Sequence, residues 1–250
     1  MNRTSDQPKK ARILAGGWRY VSATLAWMVC VAASGSIAAQ PPATLADTIA
    51  QRVVACTACH GSQGRATADG YYPRIAGKPE RYLYNQLINF REGRRTYPMM
   101  VYMVDHLSDA YLREIAGYFS SLHVAYQTPP PVSMSQASYE RGRILATTGD
   151  ASRNVAACIE CHGRALTGVR PSIPGLIGLP RDYLNAQFGA WKNGTRHAAA
   201  PDCMAQLAAR LSVDDISAVS GWLASQPIPV DPAPLDVAPQ KRPMDCGSAQ

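Results

Sequence analysis

Apolar and polar positions along this chain recur with a helical period, and no strand-like alternation of useful length appears. Over residues 44–56 the apolar side chains sit at helical spacing and lead straight into Cys56. Pro79 has the place of a first-turn proline and opens a predicted second helix, which Gly93 ends. Ser108 is placed to cap a third, running to about Leu122. The same succession then returns. Helices are expected from about Gln136 to Thr147, Pro180 to Lys192 and Ser212 to Ser225, and Ser212 with Asp215 has capping-box spacing. The expected fold class is all-α.

The return is a duplication. Tyr72, Pro73, Gly77, Pro79, Tyr82, Leu83, Gln86, Phe90, Gly93 and Arg95 align at an offset of 101 with Ile173, Pro174, Gly178, Pro180, Tyr183, Leu184, Gln187, Trp191, Gly194 and Arg196. Past a small insertion the offset is 104, and Met100, Leu107, Ser108, Ile115 and Gly117 align with Met204, Leu211, Ser212, Val219 and Gly221. The copies are expected at 40–125 and 136–226. A stiff linker at 126–135 contains Pro129-Pro130-Pro131, and a proline-rich tail covers 227–250. Each copy is small for a purely apolar core, so a buried prosthetic group would supply much of the filling.

Residues 1–39 read as a leader. Lys9, Lys10, Arg12 and Arg19 precede an uncharged run from Val21 to Ala39 that ends in small residues, with a cut expected around Ala38 to Gln40. An uncleaved anchor is the competing reading, because the run is about long enough to span a bilayer. Cys30 lies inside this run and reads as a passenger. Without residues 1–39 the formal charge falls from +7 to +3, so the basic balance resides largely in the leader and carries no expectation of nucleic-acid binding.

Each copy carries one chemical signature, Cys56-Thr57-Ala58-Cys59-His60 and Cys158-Ile159-Glu160-Cys161-His162. C-x-x-C-H is the attachment motif of c-type haem. Two thiols at that spacing add to the two vinyl groups, and the adjacent imidazole reaches the iron as an axial ligand. A zinc site and a redox dithiol also use C-x-x-C pairs. The immediate histidine in both copies, with a methionine downstream of each, favours haem. Two covalently bound haem c groups are expected. Attachment of this kind takes place outside the bacterial cytoplasm, which agrees with the leader and places the protein in the periplasm.

His60 and His162 fill one axial position each, and the repeat nominates Met100 and Met204 for the other, each on a loop before the last helix. A thioether is a soft, neutral ligand that favours ferrous iron. Met99 and Met103 flank Met100 but have no methionine partner in the second copy. Pro73 and Pro174, 13 and 12 residues past their histidines, are placed to accept the ring N–H through their carbonyls. Tyr82, Tyr183, Phe90 and Trp191 are expected to pack as haem walls. Arg95 and Arg196 either pair with haem propionates or are solvated.

With both motifs, the Tyr-Pro-Arg-Ile-Ala-Gly segment, the Tyr-Leu-x-x-Gln-Leu helix and the methionine-to-Leu-Ser spacing, residues 45–226 resemble the dihaem cytochromes of the c4 type. The resemblance implies two fused class I cytochrome c domains, His/Met ligation at both irons, propionates close together at the domain interface, and electron donation to oxidases or other periplasmic acceptors. Three features depart from the family. No basic residue follows Pro174, the tail is added, and Cys203 sits directly before Met204.

Cys203 and Cys246 are left over after haem attachment. An exported chain with two spare cysteines suggests a bridge, here one pinning the tail over the second methionine segment. Thiolate ligation of iron by Cys203 is the alternative. The expected function is an electron carrier and not an enzyme. It would shuttle single electrons between a donor dehydrogenase or membrane complex and a terminal oxidase or reductase, with at most loose membrane association. A dihaem peroxidase or thiosulfate-oxidising enzyme, or a haem subunit of a larger complex, are the alternatives. Neither supplies a catalytic constellation here: His106, His123 and His197 have no repeat-matched partners.

Overall fold

The protein is described by a computed structural model over residues 46–67, 70–127, 130–236 and 242–249. The predicted leader at 1–39 lies outside these residues, as do Thr128 and Pro129 of the linker and 237–241 and Gln250 of the tail. No helix among the described residues is long and apolar enough to cross a membrane.

In the first copy α1 (Ile49–Arg52) is capped by Thr48, whose hydroxyl accepts the Gln51 N–H, and breaks at Val53. α2 (Val54–His60) then carries the whole first motif. The expected single helix over 44–56 is therefore two short helices that run on through the histidine. α3 (Glu80–Arg91) follows Pro79, and α5 (Asp109–Ser121) packs on it behind the Ser108 cap. Between them lies α4 (Pro98–Val104).

In the second copy α6 (Gln136–Thr147) is separated from α7 (Cys158–His162) by a bridged turn, Asp150 to Val155. α8 (Arg181–Lys192), α9 (Cys203–Arg210) and α10 (Val213–Ser225) complete it, α10 lying against both α6 and α8. α6 and α10 cross very closely. A Cβ on Gly142 would stand 2.2 Å from the Ala218 carbonyl oxygen, so only glycine fits.

Two expectations need correction. The methionine segments are helical, not loops: Pro98 sits in the first turn of α4, and the Asp202 carboxylate accepts the Ala205 N–H to start α9. The fold also contains one small ladder, β1 (Gly168–Val169) antiparallel to β2 (Ile173–Pro174). Leu235 of the tail bridges to Val169 beside it. Two-residue strands leave no alternation for a sequence pattern to show.

The linker and tail are docked. Arg74, 5% exposed, donates to the carbonyls of Ala76, Val124 and Ala125 and lays its guanidinium 4.0 Å from the Tyr126 ring centroid. In the tail, Arg170 donates to the Pro234 carbonyl and pairs with Asp236. Cys246 closes a disulfide to Cys203, and Gly247 N–H donates to the Pro201 carbonyl.

The capping box at Ser212 is part of a larger ionic knot. Asp215, 5% exposed, accepts from Arg141 Nε at 2.8 Å, from Arg153 Nη1 at 2.6 Å and from the Ser212 N–H at 3.1 Å. Asp150 accepts from the same two arginines. The knot ties α10 to α6 and to the turn that leads into Cys158. Burial opposes the Asp215 charge, but Arg153, Arg141 and Ser212 outweigh it and hold the carboxyl well below the usual range.

Replacing Asp215 with Asn should cost about 2 kcal/mol near neutrality, since both arginines are partly exposed and the pair is discounted accordingly. The folded carboxyl has the depressed pKa, so its contribution is complete above the ordinary carboxylate range and is lost as pH falls toward the folded value. Urea melts should show the gap between parent and Asp215→Asn narrowing by about pH 3. A gap that stays constant would assign the loss to packing instead of charge.

Candidate functional site

Each motif lines its own cavity. Cys56, Cys59, His60 and Met100 border one of about 1080 Å³, which also extends along the contact between the copies. Cys158, Cys161, His162 and Met204 border another of about 160 Å³. The linings are largely apolar: Leu83, Phe90, Ile115 and Phe119 in the first; Leu184, Phe188, Trp191 and Leu223 in the second.

The two histidines are presented alike. His60 Nδ1 lies 2.9 Å from the Pro73 carbonyl oxygen, and His162 Nδ1 lies 2.7 Å from that of Pro174. With a carbonyl as partner, Nδ1 carries the proton and Nε2 keeps a lone pair for a metal. Both rings are buried, at 8% and 7% exposure. Burial pushes both imidazoles below their ordinary pKa against the proline carbonyls, helped by the charge of Arg95 at His60 and of Lys78 at His162. Each ring is therefore held neutral, as a ligand must be.

None of the four motif cysteines is in a disulfide. Burial raises Cys56 and Cys161 above the usual thiol range and pushes Cys158 up to about 12. A redox dithiol needs the opposite shift. Among the described residues no three His, Cys, Asp or Glu side chains gather as a zinc site requires.

α4 brings Met100 and Met103, both half-buried, and Met99, 53% exposed, to the lining of the first cavity. In the second, Met204 is joined by Met244 from the tail. The spare cysteines had suggested that the tail returns over this site, but sequence reasoning did not single out Met244, which has no repeat-matched partner. The fold-back rests on the disulfide, whose Cα atoms stand 5.2 Å apart, and on Asn85 Nδ2 donating to the Ser248 carbonyl. With Cys203 in a disulfide, its thiolate is not available to iron, and that alternative is withdrawn.

The wall between the cavities is a near-symmetric cluster. Arg95 donates to Gln86 of its own copy at 3.0 Å and to Gln187 of the other at 2.8 Å. Arg196 donates to Gln187 at 2.6 Å and to Gln86 at 3.2 Å. Their backbones form an antiparallel bridge, with Thr96 N–H donating to the Thr195 carbonyl. Arg95 lies over Phe90 and Arg196 over Trp191, so repeat-matched residues make repeat-matched contacts. Arg196 is only 6% exposed, and burial followed by the Arg95 charge lowers its pKa. The solvated reading of Arg196 is therefore corrected.

These cations fit a haem. Lys78 and Arg196 are buried, Arg95 half-buried, and among the described residues no carboxylate pairs with any of them. Trp191 Nε1 is buried in the second cavity with no partner among the described residues. A group that is apolar over most of its area and ends in two carboxylates answers both the linings and these cations without a carboxylate partner.

No protein-family profile matches the chain. It is 38% identical over 197 residues to the thiosulfate dehydrogenase electron acceptor of Thiomonas intermedia (strain K12), covering 79% of this chain and 86% of that one. It is 32% identical over 176 residues to cytochrome c4 of Pseudomonas aeruginosa, covering 69% and 84%. Among solved structures, reduced recombinant cytochrome c4 from Pseudomonas stutzeri matches with TM-score 0.60 and 32% identity over 70% of this chain and 94% of that one. Thiosulfate dehydrogenase (TsdBA) from Marichromatium purpuratum matches with TM-score 0.62 and 33% identity, over 69% of this chain and 36% of that chain.

Non-reducing peptide mapping should recover Cys203 and Cys246 as one linked pair. Cys246→Ser should loosen the tail, seen as faster proteolysis between residues 227 and 245, and lower stability by at most about 4 kcal/mol for a bridge of this span. Unchanged proteolysis would mean that hydrogen bonds alone hold the tail.

Proposed function

The chain belongs to the cytochrome c4 family of dihaem c-type cytochromes, and from that footing we propose a periplasmic carrier that takes electrons from a dehydrogenase and passes them to an oxidase or reductase. The donor we propose first is a thiosulfate dehydrogenase, the partner named for the 38%-identical relative. In this reading Cys56 and Cys59 hold one haem and Cys158 and Cys161 the other. His60 and Met100 are the axial ligands in domain 40–125, and His162 and Met204 those in domain 136–226. The haem, when bound, supplies the iron that changes between ferrous and ferric.

The observation that carries the proposal is the shared wall. Both cavities are bordered by the same Tyr82, Gln86, Tyr183, Gln187 and Arg196, so the two haem sites adjoin through a few shared side chains, Arg196 buried and the others half-buried. The chain's own residues keep each imidazole neutral and oriented, exclude water with apolar linings, and gather positive charge where carboxylates would end. None of this requires an acid, a base or a nucleophile. The disulfide and the haem-attachment motifs both favour an oxidising compartment.

Purified oxidised protein should be reduced at both haems when mixed with a thiosulfate dehydrogenase and thiosulfate, followed by stopped-flow absorbance. Thiosulfate oxidation by the protein alone, with an artificial acceptor, would overturn the carrier assignment. Met100→Ala and Met204→Ala should each remove about half of the methionine-to-ferric charge-transfer absorption. Loss from Met103→Ala in place of Met100→Ala would move the ligand within α4.

A further inference from the structure

Lys78 is the place where the duplication stops being symmetric. It belongs to the first copy, just before α3, yet its Nζ reaches the Gly175 carbonyl oxygen of the second copy at 3.5 Å. Gly175 follows Pro174, whose carbonyl holds His162. Lys78 is 9% exposed, borders both cavities, and has no paired carboxylate among the described residues. Burial lowers its pKa to about 8, which still leaves the ammonium charged at neutrality.

At the two matching positions the second copy has no basic residue, and its own buried cation Arg196 is turned to Gln86 and Gln187. The repeat partner of Lys78 is Leu179, a buried core residue. The repeat partner of Arg74 is Gly175, where a Cβ would stand 2.5 Å from the Thr167 carbonyl oxygen, so no longer side chain fits. The ammonium from the first copy therefore lies on the loop where the second copy has lost its own basic residue. Arg74 takes no equivalent position across the interface, being bound to the Val124 and Ala125 carbonyls of its own copy.

We propose that Lys78 is a positioning residue acting across the domain boundary, its buried ammonium making the haem held by His162 easier to reduce and tying that haem's potential to the docking of the two copies. A fixed positive charge in a poorly screened site opposes the extra charge of ferric iron. The inference rests on the dihaem reading above.

The test is a spectroelectrochemical titration of the holoprotein, with each midpoint assigned through the hyperfine-shifted haem methyl resonances of the two sites. Lys78→Met keeps the length and apolar stem without the charge. At fixed ambient potential it should lower the ferrous-to-ferric ratio of the second haem about tenfold, equivalent to about 59 mV for one electron. The first haem should move clearly less. Lys78→Arg keeps the charge and should restore most of the shift, which a purely structural role would not. Equal movement of both haems, or no movement of the second, overturns the proposal. Haem content of the same samples separates the two levels: fewer than two haems per chain defeats the dihaem reading, whereas two haems with unmoved midpoints defeats only the role of Lys78.

Discussion

Among the described residues no carboxylate meets Lys78, Arg95 or Arg196, of which Lys78 and Arg196 border both apolar cavities and Arg95 the first. Removing an ion from water costs several kcal/mol even after relaxation. A hydrogen bond to a charged group returns only about 2 kcal/mol. The glutamine oxygens and the aromatic faces under the guanidiniums offset part of that cost and leave a remainder. Haem propionates, when bound, would supply a counter-charge here. On this view the cofactors complete the interface between the copies as well as the core of each one.

The same wall explains why the copies stay paired. Gln86 and Gln187 each accept from both arginines, so neither copy satisfies its own polar groups alone. The backbone bridge at Arg95 and Arg196 fixes the register, and His197 N–H donates to the Arg94 carbonyl one step further on. Around this shared centre the copies have diverged. The second gained the Asp215 knot, which steadies the turn before Cys158, and a tail fastened by Cys246 across its cavity. The first keeps its motif almost continuous with its opening helix and turns Arg74 onto the linker.

Much of the site was legible because it is local. C-x-x-C-H places sulfurs and imidazole within one turn of helix. The proline carbonyls that orient His60 and His162 lie on short loops at nearly fixed distance along the chain. The duplication acted as an internal control, matching Gln86 and Arg95 with Gln187 and Arg196 before any role was visible. Helix ends were legible where a side chain caps them, as at Ser108, Ser135 and Ser212. The methionine segments were expected as loops, whereas Pro98 stands in the first turn of a short helix and Asp202 caps another.

The amino-acid order alone determined the two attachment motifs, the all-helical class and the repeat, since each is written in spacing that the backbone period enforces. Tertiary structure alone decided which distant groups share a space. It brought Met244 to the second cavity and set Lys78 against the loop of the other copy, whereas the bridge between Cys203 and Cys246 was already suggested by the two spare cysteines. Such contacts depend on how two domains and a tail dock, and that is governed by burial and charge summed over many residues, which no local pattern records.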